Sequence, residues 1–288
     1  MSFSSEVKDE LYKQISAARH CQMAELSAIM NFCGNYGQDK NGRYTIGFNT
    51  ENEALVRKGF TLLKKSFNID TENGSNEQEI KAVLAKFGNL DEPVSPLLIK
   101  SSCCQRSFLR GAFLSIGSMS DPEKGYHLEF DCTNEAKAVQ LKNLIQGFDI
   151  EAKIILRKKY YVVYLKEGAG IVDILNVMEA HLSLMELENL RIVKDMRNSI
   201  NRRVNCETAN ISKTVNAASR QIEDIELLQR RYGLNNLPDN LREIALLRLE
   251  YPDATLKELG ESLDPKVGKS GVNHRLRKLS ELANEIKS

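Results

Sequence analysis

Residues 253–280, DATLKELGESLDPKVGKSGVNHRLRKLS, decide how this chain is read. Thr255 followed three residues later by Glu258 has the form of a capping box, in which hydroxyl and carboxylate satisfy each other's backbone amides at a helix start. Leu256, Leu259 and Leu263 then recur on one helical face. Residues 264–268 are turn-like, and from about Ser270 a further helix places Val272, Leu276 and Leu279 at i, i+4 and i+7. Asn273, His274, Arg277 and Lys278 therefore face outward, with Lys269 and Ser270 at the helix tip. Immediately upstream, residues 240–250 read as an amphipathic helix closed by Pro252. Residues 233–288 are thus expected to form an all-α helix-turn-helix domain.

The chemistry of that outward face is specific. Between Lys266 and Lys278 stand five basic residues and no acid. An exposed helix N-terminus offers free amides to phosphate, and Asn and Arg can grip base edges with two hydrogen bonds. Duplex DNA is the implied partner, with Thr255, Lys266, Lys269, Ser270, Asn273, His274, Arg275, Arg277 and Lys278 as the candidate contacts. A solvated basic helix in a tri-helical protein-binding module would carry similar charges, so the alternative of a scaffold tethered to DNA stays open.

The rest of the chain sets bounds on this. A length of 288 residues predicts two or three compact units. Hydrophobic residues at 42% and charged residues at 27% are the profile of a globular chain that can bury a sizeable core. There is no apolar run of about 18 residues, and the polar, acidic start is unlike a signal peptide, so a cytoplasmic location without membrane contact is expected. The six cysteines (21, 33, 103, 104, 132, 206) form no C-x-x-C and read as buried free thiols. The four histidines (20, 127, 181, 274) are scattered. No metal site, cofactor, small-molecule substrate or Cys/His catalytic pair is expected. The net charge of +1 does not discriminate between partners, so local distribution must.

Upstream of the reader, residues 182–232 read as a basic helical linker, with nine Lys/Arg against five acids from Arg191 to Arg231. Arg197, Arg202 and Arg203 are candidate auxiliary phosphate contacts. The middle of the linker, NCETANISKT, has little helical periodicity and reads as a flexible break. Residues 1–180 repeat one order of elements: an apolar helix ending in glycine, a strand, a helix, more strand. The first helix is expected from Ser4 or Ser5 to about Ser16, and the two apolar helices over residues 24–33 and 104–116. A strand follows over 43–49 and another over 125–132. Helices are expected over 52–67, 78–87, 134–146 and 168–178, a loop over 70–79, and a hairpin over 151–165. The period of about 85 residues implies an internal pseudo-dyad. The fold class is α+β, a duplicated α/β N-terminal domain (residues 20–181, repeats of about 20–90 and 104–181) after a helix over 1–19, then the linker and the all-α domain.

These segments resemble a known family. SFSSEVKDEL (2–11), AELSAIMNFCG (24–34), RSFLRGAFLSIGSMSDPEKGYHLEF (106–130), NCETANISKTVNAASRQI (205–222), NLREIALLRLEYPDATLKELGESLDP (240–265) and KSGVNHRLRKL (269–279) are similar to the WhiA family over nearly the full length. That family joins a degenerate LAGLIDADG homing-endonuclease-like domain to a helix-turn-helix. The resemblance implies a nucleoid-associated regulator of transcription, cell division, chromosome segregation and sporulation-type development. It also implies that LSAIMNFCG (26–34) and LRGAFLSIG (109–117) match the LAGLIDADG helices, whose terminal acids hold divalent metal in active nucleases. Those positions are Cys33 and Ile116 here, so an active endonuclease is not expected. The region after Asn68 is short for the family, which puts the second hairpin of the first repeat in question. The strand alternation over 125–132 turns His127, Glu129 and Asp131 to one face, an acidic surface that suits a protein partner or a weakened auxiliary contact better than a phosphate grip; simple pairing of Glu129 and Asp131 with neighbouring lysines is the open alternative.

Overall fold

The computed structural model describes residues 2–38, 44–69 and 77–287 and divides the chain into two compact units, Met1–Lys194 and Asp195–Ser288. Unit 1 is α+β. It begins with α1 (Phe3–Lys13), whose Ser2 side chain caps the amide of Ser5. The helix starts and ends earlier than its serines alone suggest, because Phe3, Val7 and Leu11 form the buried stripe and set its register.

Two runs of elements follow, each opening with a helix, two strands and a helix. The first is α2 (Arg19–Cys33), β1 (Gly34–Gln38), β2 (Tyr44–Phe48), α3 (Glu53–Phe67) and α4 (Glu77–Phe87). The second is α5 (Ser102–Ile116), β3 (Gly117–Met119), β4 (Leu128–Cys132), α6 (Glu135–Gln146), β5 (Lys153–Arg157), β6 (Tyr160–Leu165) and α7 (Gly168–Val177). Asparagines punctuate both. Asn52 caps α3 by accepting from the amides of Ala54 and Leu55, Asn134 caps α6 through Ala136, and Asn68 ends α3 in the left-handed region at φ 59°. The second sheet is antiparallel in the order β3-β4-β6-β5, with Phe130 opposite Val163 and Ile154 opposite Val163 from the other side. Among the described residues the first run pairs only β1 with β2. Most of the expected loop over 70–79, and with it the question of a second hairpin, falls on 70–76, outside the described residues; α4 takes up the chain at Glu77.

α2 and α5 form the centre of unit 1. They come close together at Gly111, where a Cβ would stand 2.5 Å from the Glu25 carbonyl oxygen and 3.0 Å from the Ala28 Cβ. The small residues of both helices permit this contact, and the Phe32 and Phe108 rings meet beside it at 6.1 Å. One charged group is built into the core there. Glu25, fully buried, holds Lys58 of α3 at 2.7 Å and Arg110 of α5 at 3.2 Å, and Arg110 reaches Glu179 at 2.7 Å. Lys58 also donates to the carbonyls of Leu11 and Gln14. Two acids balance two bases, which is the condition for burying charge at tolerable cost.

The chain then enters α8 (His181–Arg231), one continuous helix across the division of units. The flexible break expected in NCETANISKT is not there. No glycine or proline lies between His181 and Arg231, and Asn, Ser and Thr cost a helix only about 0.5 kcal/mol each, too little to interrupt it. Residues 195–217 are exposed throughout, so the helix there has no core stripe to show as periodicity. Unit 2 is all α. Ile225 and Leu228 of α8 join α9 (Asp239–Glu250), α10 (Leu256–Glu261) and α11 (Lys269–Lys287) around a core of Leu241, Ile244, Leu259, Leu263, Val272, Leu276 and Leu279.

Candidate nucleic-acid interface

α10, the turn after it and α11 place the residues read from the sequence. The Thr255 hydroxyl accepts from the Glu258 amide at 3.3 Å, and the Glu258 carboxylate accepts from the Thr255 amide at 2.7 Å, closing the capping box. Those bonds hold the Glu258 carboxyl below its ordinary range. Two features that the sequence reading passed over fix the turns. The buried Arg248 guanidinium donates to the carbonyls of Pro252 at 3.2 Å and Ala254 at 2.7 Å, fastening the link from α9 to α10. Gly260 lets the turn fold back onto α10: a Cβ there would lie 2.0 Å from the Val267 carbonyl oxygen, while the Val267 amide donates to Gly260. Neither announces itself in one sequence, since an arginine in a helix reads as a solvated charge and a lone glycine as a weakness.

On α11, Val272, Leu276 and Leu279 are buried and Lys269, Ser270, Asn273, His274, Arg277 and Lys278 are exposed, a division into two faces. Lys266 is exposed in the turn. Arg277 lies 3.1 Å from Glu281 one turn on. Arg275 departs from the expected set. It is half-buried and turned onto α9, with Nη1 3.5 Å from the Asn240 carbonyl and 3.9 Å from Glu243. Its place in the heptad-like spacing is beside Leu276, at the edge of the packed face, and packing takes it. In α8, Arg197, Arg202 and Arg203 are all exposed; Arg203 pairs with Glu207 at 3.0 Å.

In unit 1, Cys33 and Ile116 close α2 and α5, each followed by the glycine that starts a strand. The Cys33 thiol is buried, donates to the Ile29 carbonyl at 3.2 Å, and stands 3.7 Å from the Ser115 hydroxyl. Burial pushes it up, against a smaller opposing effect of Ser115, so it stays protonated at neutral pH. Ile116 is partly buried against the core. A neutral thiol and a hydrocarbon thus end the two helices, and neither is a ligand for a hard cation.

The polar face of β4 is less acidic than its sequence suggests. Glu129 is held by His127 at 2.9 Å and by Arg157 of β5 at 2.9 Å, and Arg157 also reaches Asp131 at 3.2 Å. Burial pushes the Glu129 carboxyl up, and the hydrogen bonds from Arg157 and His127 more than reverse it, leaving it below its ordinary value. The cysteines need correction too. Cys103 and Cys206 are exposed, not buried, and His20, Cys21, Cys103 and Cys104 lie together although the histidines and cysteines are spread along the chain. Positions far apart in sequence meet because α2 and α5 start together.

Comparison with known proteins agrees along the whole chain. Residues 19–78 match the WhiA N-terminal LAGLIDADG-like domain, 105–197 the WhiA LAGLIDADG-like domain, and 200–283 the WhiA C-terminal HTH domain. A probable cell division protein WhiA from Lachnoclostridium phytofermentans is 49% identical with 100% of both chains covered. Its counterpart from Clostridium botulinum is 47% identical, covering 100% of this chain and 99% of that one. The crystal structure of full-length WhiA from Thermatoga maritima superposes with a TM-score of 0.59 at 27% identity, covering 99% of each chain. With a paired LAGLIDADG-like unit, a helix-turn-helix unit and full-length relatives at nearly half identity, the chain belongs to the WhiA family.

Proposed function

We propose that this chain is a regulator that binds duplex DNA through α11 and does not cut it. The observation that carries the proposal is the division of α11 into a buried apolar face and an exposed face of Lys269, Ser270, Asn273, His274, Arg277 and Lys278. Basic tips meet phosphate, and Asn273 and Arg277 have the geometry to read base edges. Arg197, Arg202 and Arg203 of α8 add sequence-independent phosphate contacts. Nuclease chemistry is set aside on the residues: Cys33 and Ile116 give neither a site for magnesium nor a clamp for the charge of phosphodiester hydrolysis.

The relatives are named as probable cell division proteins, and we extend that role, with transcription control, chromosome segregation and sporulation-type development, to this chain at the nucleoid. A protein partner on unit 1 is the accompanying reading, favoured by the edge strand β5, where Ile155 and Leu156 are 52% and 61% exposed. The deciding experiment compares full-length protein with Asn273→Ala/Arg277→Ala on target-promoter and random duplexes across salt concentrations. Loss of the preference for promoter DNA, with non-specific affinity retained, is the expected outcome. Unchanged discrimination would move base recognition away from α11.

A further inference from the structure

Four side chains with nitrogen or sulfur ligand atoms converge where the two central helices begin. His20 and Cys21 lie in the first turn of α2, Cys103 and Cys104 in the first turn of α5. They occupy equivalent places in the two repeats, since His20 and Cys103 are 83 residues apart and the helix ends share that spacing. His20 Nδ1 is 3.2 Å from Cys104 Sγ, 3.3 Å from Cys21 Sγ and 3.9 Å from Cys103 Sγ. All four ligand atoms lie within 4.8 Å of one another. A tetrahedral zinc ion bound by nitrogen and sulfur sets its ligand atoms about 3.6 Å apart for N and S and about 3.8 Å for two S atoms. The observed His20 distances bracket the first figure, so small side-chain rotations suffice.

We propose that His20, Cys21, Cys103 and Cys104 form a structural zinc site that ties the start of α2 to the start of α5. The donor set decides the metal: one imidazole and three thiolates select a soft or borderline cation and reject magnesium, calcium and manganese. Four protein ligands leave no open position, which is the mark of a structural and not a catalytic centre. Three thiolates carry one charge more than the metal neutralises, and the surroundings suit an anion. Neither helix has an acid in its first turn, and the positive ends of two helix dipoles favour negative charge there. The Ser101 hydroxyl, 3.1 Å from Cys104 Sγ, supplies the kind of outer hydrogen bond that orients a metal ligand. Cys21 and Cys104 are buried with Ala24 beneath, while His20 and Cys103 are exposed and give the ion a way in. Binding releases the protons of the thiols, so affinity rises with pH.

The test uses full-length protein purified under reducing conditions without chelator, with metal measured by mass spectrometry and thiols by titration. About one zinc per chain is expected, together with the tetrahedral thiolate spectrum when cobalt replaces it. Cys103→Ser, an exposed position that should fold normally, and Cys103→Ser/Cys104→Ser should lower zinc content about tenfold or more, with helix content by circular dichroism as the folding control. Cys206→Ser, on α8, should keep full occupancy. Chelation should lower the melting temperature of the wild type and leave that of the double variant unchanged. Wild type that takes up neither zinc nor cobalt would overturn the site, as would zinc retained by the double variant. Loss of two titratable thiols to a disulfide in place of metal uptake would also overturn it.

Discussion

Asn273 and Arg277 stand one turn apart on the exposed side of α11, whereas Arg202 lies on a part of α8 with no packed face. Truncation should separate the two roles. Asn273→Ala or Arg277→Ala should cost about 1–3 kcal/mol on the target site and relax discrimination, while Arg202→Ala should weaken all duplexes alike and lower the salt slope by about one unit. Binding isotherms on specific and random DNA at several salt concentrations read both. Uniform weakening by Asn273→Ala would make it a backbone contact. Glu129 provides a pH signature. Its folded-state value lies below the ordinary 4.5, so its contribution is whole above that value and is lost as pH falls through the lower folded-state value. The stability difference between wild type and Glu129→Gln should therefore shrink toward acid, seen in urea unfolding from neutral pH downward. The exposure of most candidate positions was legible in sequence because helical spacing alone separates Val272, Leu276 and Leu279 from their outward neighbours. The half-burial of Arg275 was not, since its partners Asn240 and Glu243 lie on α9, about 35 residues away.

Among the elements, α2 and α5 depend on close backbone approach. Gly111→Ala would place a methyl 2.5 Å from a backbone oxygen that cannot swing aside. Alanine favours an isolated helix by about 1 kcal/mol over glycine, but overpacking costs about 1–3 kcal/mol and the two helices must part to admit it. Net destabilisation is expected, visible as a lower urea midpoint, and a higher midpoint would show that the pair has slack. α8 offers the opposite case. Over residues 195–217 only its own hydrogen bonds and pairs such as Arg203 with Glu207 support it. Amide exchange there should be orders of magnitude faster than in the buried middle of α5. Equal protection would mean that this stretch is covered in solution. The same lack of a packed stripe made the sequence look broken at NCETANISKT, although propensity without Gly or Pro already favoured a helix.

At the scale of the whole molecule, a unit with a LAGLIDADG-like helix pair is followed by a helix-turn-helix unit. The full-length protein is expected to show no magnesium- or manganese-dependent nicking of supercoiled plasmid. Cys33→Asp/Ile116→Asp should not restore it, because activity also needs phosphates drawn onto that point, and the neighbouring sheet face is tied up in the pairing of Glu129 and Asp131 with Arg157. Metal-dependent nicking that survives repurification would refute this. The α+β duplication, the helix pair ending in glycine, the all-α C-terminal unit and the outward face of its last helix were legible in the chain alone. Each of these rests on local periodicity, capping and the spacing of repeats, which one chain displays in full. Which charges are neutralised and which thiols meet is set by the packing of the folded chain. Glu25 finds Lys58 and Arg110, Glu129 finds Arg157, Arg248 fastens a turn, and His20 comes beside Cys103 and Cys104. Such partners are brought together by the packing of separate elements, and most lie tens of residues apart, with no local period to betray them.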